Sequence, residues 1–199
     1  YKPLHIGQRM VIVPAWETYE PRDGELVVTM DPGMAFGTGS HETTRLVIGL
    51  LEKYTKPGCR MLDVGCGSGI LAICASKLGA AECRAYDIDP MAVRVAGENI
   101  RASGQKNITC EVSDLLRQVD RSAPYDLITA NIVADIIIRM APDVGSLMHA
   151  GSVLLVSGII QERSEDVVAA LRANGLRVTE QVEDHDWCAM AVMLVEKEA

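Results

Sequence analysis

The chain has 199 residues, 48% hydrophobic and 23% charged, enough for one domain with a full apolar core. Its formal net charge of −8 disfavours broad electrostatic binding to duplex DNA or an anionic membrane. That charge suits a basic protein partner, or simply serves solubility. Cysteines at 59, 66, 74, 83, 110 and 188 form no C-x-x-C pair and join no histidine cluster, which argues against a metal site or a disulfide framework and for reduced thiols in a cytoplasmic protein. Lys2, His5 and Arg9 interrupt the first residues, so no secretory signal opens the chain, and no apolar run reaches the length of a membrane span. Tyr1-Lys2-Pro3, without an initiator Met, reads as a chain entered midway.

Arg9 to Val13 and Glu25 to Thr29 are short β-branched runs, read as a small hairpin-like preamble within an N-terminal extension, residues 1–30. Residues 31–199 are read as one catalytic domain. Asp31 to Ser40 is a loop with three glycines. A helix follows, with Ser40 placed to cap it, Leu46, Val47, Leu50, Leu51 and Tyr54 on its apolar face, and Pro57-Gly58 beyond its end. The pattern then alternates. Strands are predicted over Arg60–Val64, Glu82–Tyr86, Ile108–Val112, Tyr125–Ala130 and Ser152–Ser157. Helices are predicted over Gly69–Leu78, Pro90–Ala102, Ala134–Met148 and Glu162–Ala173. Leu176–Val182 and Cys188–Val195 are two more strands with a connection too short for a crossover helix, hence antiparallel. The expected fold is α/β: a mostly parallel seven-stranded sheet with helices on both faces and an antiparallel closing hairpin.

Asp63-x-Gly65-x-Gly67-x-Gly69 lies between a predicted strand and helix, where glycines allow close backbone approach to a ligand. The spacing differs from the dinucleotide G-x-G-x-x-G. Pyrophosphate sites present backbone N–H groups to an anion at a helix N-terminus. An Asp there repels phosphate and suits a cation, which favours S-adenosyl-L-methionine, with its ammonium and sulfonium groups, over a nucleotide. Asp87, followed by Ile88, ends the next strand, where a carboxylate can accept both ribose hydroxyls; Asp89 caps the helix at Pro90. Asp114, after the third strand, is placed to meet the adenine or is a solvated loop carboxylate. Asn131, at the end of the fourth strand, faces the methyl group, caps the following helix, or does both. The residues after it, Ile132-Val133, include no ring to stack a flipped base, which disfavours a nucleic-acid acceptor. His41 is read as a helix-start residue or a catalytic helper.

Asp31 through Thr44, Asp63 through Ile73, Asp87-Ile88-Asp89-Pro90, Asn131-Ile132-Val133-Ala134, Leu155 to Ile159 and Asp186-Trp187-Cys188 together resemble the bacterial ribosomal protein L-eleven methyltransferase (PrmA) family over nearly the whole chain. The glycine loop is shared by many methyltransferases. The Phe36-Gly37-Thr38-Gly39-x-His41-x-Thr43-Thr44 block beside Asn131-Ile132-x-Ala134 is more specific; Ser40 and Glu42 replace its commoner Thr and Pro. The resemblance implies a Rossmann-like class I S-adenosylmethionine methyltransferase. It would methylate lysine ε-amino and N-terminal α-amino groups of a large-subunit ribosomal protein and release S-adenosyl-L-homocysteine. Donor contacts are expected at Phe36, Thr38, Thr44, Asp63, Gly65, Gly67, Asp87, Ile88, Asp114 and Asn131, with Asn131 also orienting the acceptor. The family carries an N-terminal substrate-binding domain, which this chain is expected to follow. The alternatives are an amine methyltransferase acting on another protein or a small molecule, and a donor-binding module without activity.

Overall fold

Seven runs of apolar residues, separated by glycine- and proline-marked turns, become one sheet in the computed structural model, which describes residues 2–35 and 41–196. Three short strands come first: β1 (Leu4–Ile6), β2 (Met10–Val13) and β3 (Leu26–Thr29), in the order β1-β2-β3. β1 and β2 form an antiparallel pair, but β2 and β3 run parallel. The hairpin-like reading of the two runs is therefore corrected. The twelve residues 14–25 between them are long enough for the chain to cross back and re-enter in the same direction. The three strands do not hang from the domain. Ile6, Met10, Ile12, Val28 and Met30 are buried in the same core as Val47, Ile48, Leu51 and Ile73. The Glu52 carboxylate accepts the backbone N–H groups of Gln8 (2.9 Å) and Arg9 (2.7 Å), fixing the β1–β2 turn on the helix behind it.

The short helix α1 (Pro32–Ala35) stands where a loop is expected, and α2 (His41–Tyr54) follows. The central sheet then builds from β4 (Arg60–Val64), α3 (Ile70–Lys77), β5 (Glu82–Asp87), α4 (Pro90–Ser103) and β6 (Ile108–Val112). The second half adds β7 (Tyr125–Asn131), α5 (Ala134–Val144), β8 (Met148–Ile160), α6 (Ser164–Ala173), β9 (Leu176–Asp184) and β10 (Trp187–Leu194). Strand order is β6-β5-β4-β7-β8-β10-β9; β4 to β8 are parallel, and β10 is antiparallel to both β8 and β9. The mostly parallel sheet with a closing antiparallel pair is the one expected.

Boundaries shift most around Met148. α5 stops at Val144, a single 3-10 turn covers Gly145–Leu147, and β8 starts four residues before the apolar run that marked it. Its first residues pair irregularly with Tyr125, and the Ser152 hydroxyl holds them by donating to Tyr125 O (2.6 Å) and accepting from the His149 N–H (3.0 Å). A bulged strand start held by a side chain leaves no alternation to read.

Side chains alternate across the sheet. Met61, Leu127 and Leu155 lie in the core shared with α2 and α3, whereas Leu62, Val64, Ile128 and Ala130 lie in the core shared with α5 and α6. Helices switch faces between β4 and β7, so the loops after these strands part and leave a crevice at their carboxyl ends, where open α/β sheets bind ligands.

Candidate active site

β4 ends at Val64 and the chain turns over Gly65-Cys66-Gly67 before α3. Two consecutive N–H groups, of Gly65 and Cys66, donate to the Tyr86 carbonyl at 2.9 Å, which pins the turn to β5. Gly65 has φ +73° and Gly67 φ +51°, a left-handed conformation that strains any side chain. A Cβ at Gly65 would stand 2.7 Å from Ile132 Cγ2, so the missing side chain also makes room for the β7 loop.

Asp87, at the end of β5, braces the turn. Its Oδ2 accepts from the Gly67 N–H (2.9 Å) and its Oδ1 from the Asp89 N–H (3.0 Å). Each oxygen keeps a lone pair, so the carboxylate is oriented and still able to accept. Asp89 caps α4, its Oδ1 accepting from the Met91 N–H at 2.9 Å with Pro90 in the first turn.

These groups open on a cavity of about 580 Å³, a size suited to a small cofactor. Its walls include Gly65, Gly67, Asp87 and Ile88, then Ser113, Asp114 and Leu115 after β6, and Asn131 at the end of β7. Six of the ten expected donor residues therefore converge there: Gly65, Gly67, Asp87, Ile88, Asp114 and Asn131. Ile88 stands out from the wall, 66% exposed. Asp114 lines the cavity and also pairs with Arg117 at 3.6 Å. Leu115 is held at φ +49°, an unusual strain for a leucine, by the Ser113 hydroxyl donating to its carbonyl at 2.7 Å.

Four expected residues do not lie on that wall as described. Phe36 and Thr38, with Ser40 as helix cap, fall outside the described residues. Thr44 is buried in α2, and its neighbour Thr43 is the one that lines the cavity. Asp63 lies under the glycine turn, 1% exposed. Its Oδ1 accepts from the Thr129 hydroxyl at 2.7 Å, and its buried Oδ2 has no hydrogen-bond partner among the described residues. Burial pushes this carboxyl up to about 7, with nearby Asp87 adding to the rise and the Thr129 hydroxyl opposing it. His41 opens α2 and accepts from Arg45 Nη2 at 3.2 Å; it is not among the cavity residues. The capping reading of Asn131 is corrected, because α5 begins at Ala134 with Val133 at the N-cap and no side-chain cap bond.

The cavity also takes residues outside the expected donor contacts. Tyr86, Ile136, Arg139, Gly158 and Trp187 all line it. Trp187 arrives from the antiparallel strand β10, outside the strand-to-helix loops on which site reading relies. Ile136 and Arg139, three apart on α5, share one helix face, a spacing that could have placed Arg139 beside the site.

The raised carboxyl of Asp63 has a consequence for stability. An unfolded Asp titrates near 3.9. Between that value and about 7 the folded protein holds a proton that the unfolded chain has lost, so stability falls as pH rises through this window. Asp63→Asn is expected to raise the melting temperature of the donor-free protein at pH 8 by several degrees and to change it little at pH 5. Equal shifts at the two pH values would refute the assignment.

A family model described as ribosomal protein L11 methyltransferase (PrmA) matches residues 1–194. The ribosomal protein L11 methyltransferase of Pelotomaculum thermopropionicum is 47% identical over 195 residues, covering 98% of this chain and 63% of the relative. That of Caldanaerobacter subterraneus subsp. tengcongensis is 51% identical over 167 residues, covering 84% of this chain and 53% of the relative. The chain thus spans between half and two thirds of the curated relatives it matches. Among solved structures, a ribosomal protein L11 methylase from Lactobacillus delbrueckii subsp. bulgaricus superimposes with a TM-score of 0.90 at 31% identity, covering 98% of this chain and 99% of that one.

Proposed function

The chain belongs to the ribosomal protein L11 methyltransferase family, with its Rossmann-like methyltransferase fold, and from that premise we propose that it transfers methyl groups from S-adenosyl-L-methionine to lysine ε-amino and N-terminal α-amino groups of that large-subunit ribosomal protein. The observation that carries the donor reading is the Asp87 carboxylate on the cavity wall, oriented by the Gly67 and Asp89 N–H groups beside the glycine turn and still able to accept. A carboxylate in that place repels a phosphate and can accept ribose hydroxyls, which suits a phosphate-free nucleoside donor. In this reading residues 31–199 are the catalytic domain, with 1–30 as its N-terminal flank.

When bound, the donor supplies an electrophilic methyl on a sulfonium whose departure as a thioether, S-adenosyl-L-homocysteine, needs no protonation. The chain's own work is positioning. Asp87, braced by two backbone N–H groups, would accept the ribose hydroxyls. Ser113, Asp114 and Leu115 would border the adenine, and Gly65 and Gly67 let the main chain come close. Asn131 offers a carboxamide oxygen at the carboxyl end of β7, where it can accept an N–H of the incoming amine and aim its lone pair. A lysine ammonium has a pKa of about 10.4 in water and must lose a proton before it attacks. Among the described residues the cavity wall holds no histidine or lysine to take it, and in this reading the proton goes to water as Ile132, Val133 and Trp187 strip solvent from the ammonium and lower its pKa.

The chain's net charge of −8 complements a basic protein acceptor, in keeping with a cytoplasmic enzyme acting on ribosomal protein. Among the described residues, no helix is long and apolar enough to cross a membrane. The test is to incubate the chain with methyl-labelled donor and the ribosomal protein, then map the label by mass spectrometry. Label on lysine side chains and the amino terminus is expected. Donor binding without transfer would instead make this chain a binding module, and label on another acceptor would redirect the substrate assignment.

A further inference from the structure

Beneath the glycine turn the Sγ atoms of Cys66 and Cys110 lie 3.7 Å apart, and we propose that this pair is an oxidation site for hydroperoxides, whose disulfide loosens the donor cradle. Among the described residues this is the sulfur pair in contact; all six thiols are free. The two come from different elements. Cys66 sits between Gly65 and Gly67, 5% exposed, with its side chain in the core and its N–H on Tyr86 O. Cys110 lies on β6, the edge strand of the sheet, and is half-buried. The strand between them presents Ala85, in register with Cys110 on one side and Asp63 on the other. A methyl side chain there leaves space for the sulfurs to meet across β5.

The asymmetry sets the order of events. The contact between the two sulfurs lowers the Cys110 pKa and raises that of Cys66, which burial raises further. Cys110 is also the more accessible of the two. Its thiolate attacks the terminal oxygen of the hydroperoxide, the O–O bond breaks, and the other oxygen leaves as an alkoxide or hydroxide that takes a proton from solvent, giving a sulfenic acid and an alcohol or water. The Cys66 thiol then attacks that sulfur. The S–S bond forms, and the sulfenic hydroxyl leaves as water with the Cys66 proton. The two thiols lose two electrons and the peroxide gains them.

A disulfide needs S–S of about 2.05 Å, so the sulfurs must close by roughly 1.6 Å. Cys110 is held in the β5–β6 ladder, so the turn carrying Cys66 gives way. The adjacent Gly67 N–H then leaves Asp87 Oδ2, and the carboxylate loses one of its two braces. The effect on the donor rests on the reading of the cavity as the donor site.

The experiment treats the chain with hydrogen peroxide, blocks remaining thiols, maps the peptides by mass and titrates S-adenosylhomocysteine calorimetrically. A peptide cross-linked between Cys66 and Cys110 is expected, together with a loss of affinity of about tenfold, the scale of one weakened charge-assisted hydrogen bond, that dithiothreitol reverses. Cys110→Ser should keep its affinity under the same treatment. Both residues remaining as blocked thiols, or an equal loss in Cys110→Ser, would overturn the proposal. If the untreated protein binds no S-adenosylhomocysteine, the donor reading fails instead, and the cross-linked peptide still decides whether the pair oxidises.

Discussion

Asp87→Ala is expected to weaken S-adenosylmethionine binding by about a hundredfold or more, with the far-ultraviolet circular dichroism spectrum unchanged. Hydrogen bonds to a charged acceptor contribute about 1.5–3 kcal/mol each, and two ribose hydroxyls would be lost together. The alanine also releases two backbone donors, the N–H groups of Gly67 and Asp89, and with them the brace between the glycine turn and β5. Asp87→Asn separates the contributions. It keeps one acceptor oxygen but presents an amide group to one of the two N–H donors, so its affinity should fall between wild type and alanine. The fold should survive in both variants, because Asp87 is half-buried at the carboxyl edge of the sheet and outside both hydrophobic cores. Calorimetry that finds wild-type affinity in Asp87→Ala would remove the ribose assignment and with it the orientation of the donor in the cavity.

How much of this site was legible in advance depends on which forces place each residue. Gly65, Gly67, Asp87 and Asn131 could be read because each ends a strand or opens the turn after it, and the βα alternation that defines those strands is a short-range pattern. Asp89 could be read as a cap for the same reason. Trp187 could not, because it reaches the cavity through the pairing of β10 with β8, in which Trp187 faces Ile160, and long-range pairing leaves no local spacing to recognise. The parallel pairing of β2 with β3 leaves no local signal either, as the crossover over residues 14–25, rich in proline, glycine and charged residues, resembles a hairpin loop in composition. Asn131 was misread in part. Asn before a helix usually caps it, but Ile132 donates its N–H to Ser157 O at 3.0 Å, which extends the strand and moves the helix start to Ala134. Asp63, expected among the donor contacts, lies in another layer. Strand alternation puts it on the α2–α3 face with Met61, under the turn rather than on the wall.

The Ile132 loop explains the second large effect. It is clamped between two glycines: a Cβ at Gly65 would meet Ile132 Cγ2 at 2.7 Å, and a Cβ at Gly158 would meet Ile132 O at 2.7 Å and Asn131 Oδ1 at 3.1 Å. Asn131 therefore holds its position partly because β8 has no side chain at 158. Asn131→Ala is expected to lower turnover by about a hundredfold, the scale of a misplaced reacting group, with a much smaller change in donor affinity. Gly158→Ala should reach a similar loss by a different route. All the catalytic groups remain, but the added methyl drives the Asn131 carboxamide off its position, and the φ of +88° costs the alanine about 1–2 kcal/mol of stability. Because the two substitutions act on one group, the double variant should lose little more than either single one. Steady-state kinetics of the three proteins decide the matter. If the two losses multiply, Gly158 acts on something other than Asn131, and if Asn131→Ala turns over at the wild-type rate, the carboxamide does not orient the amine.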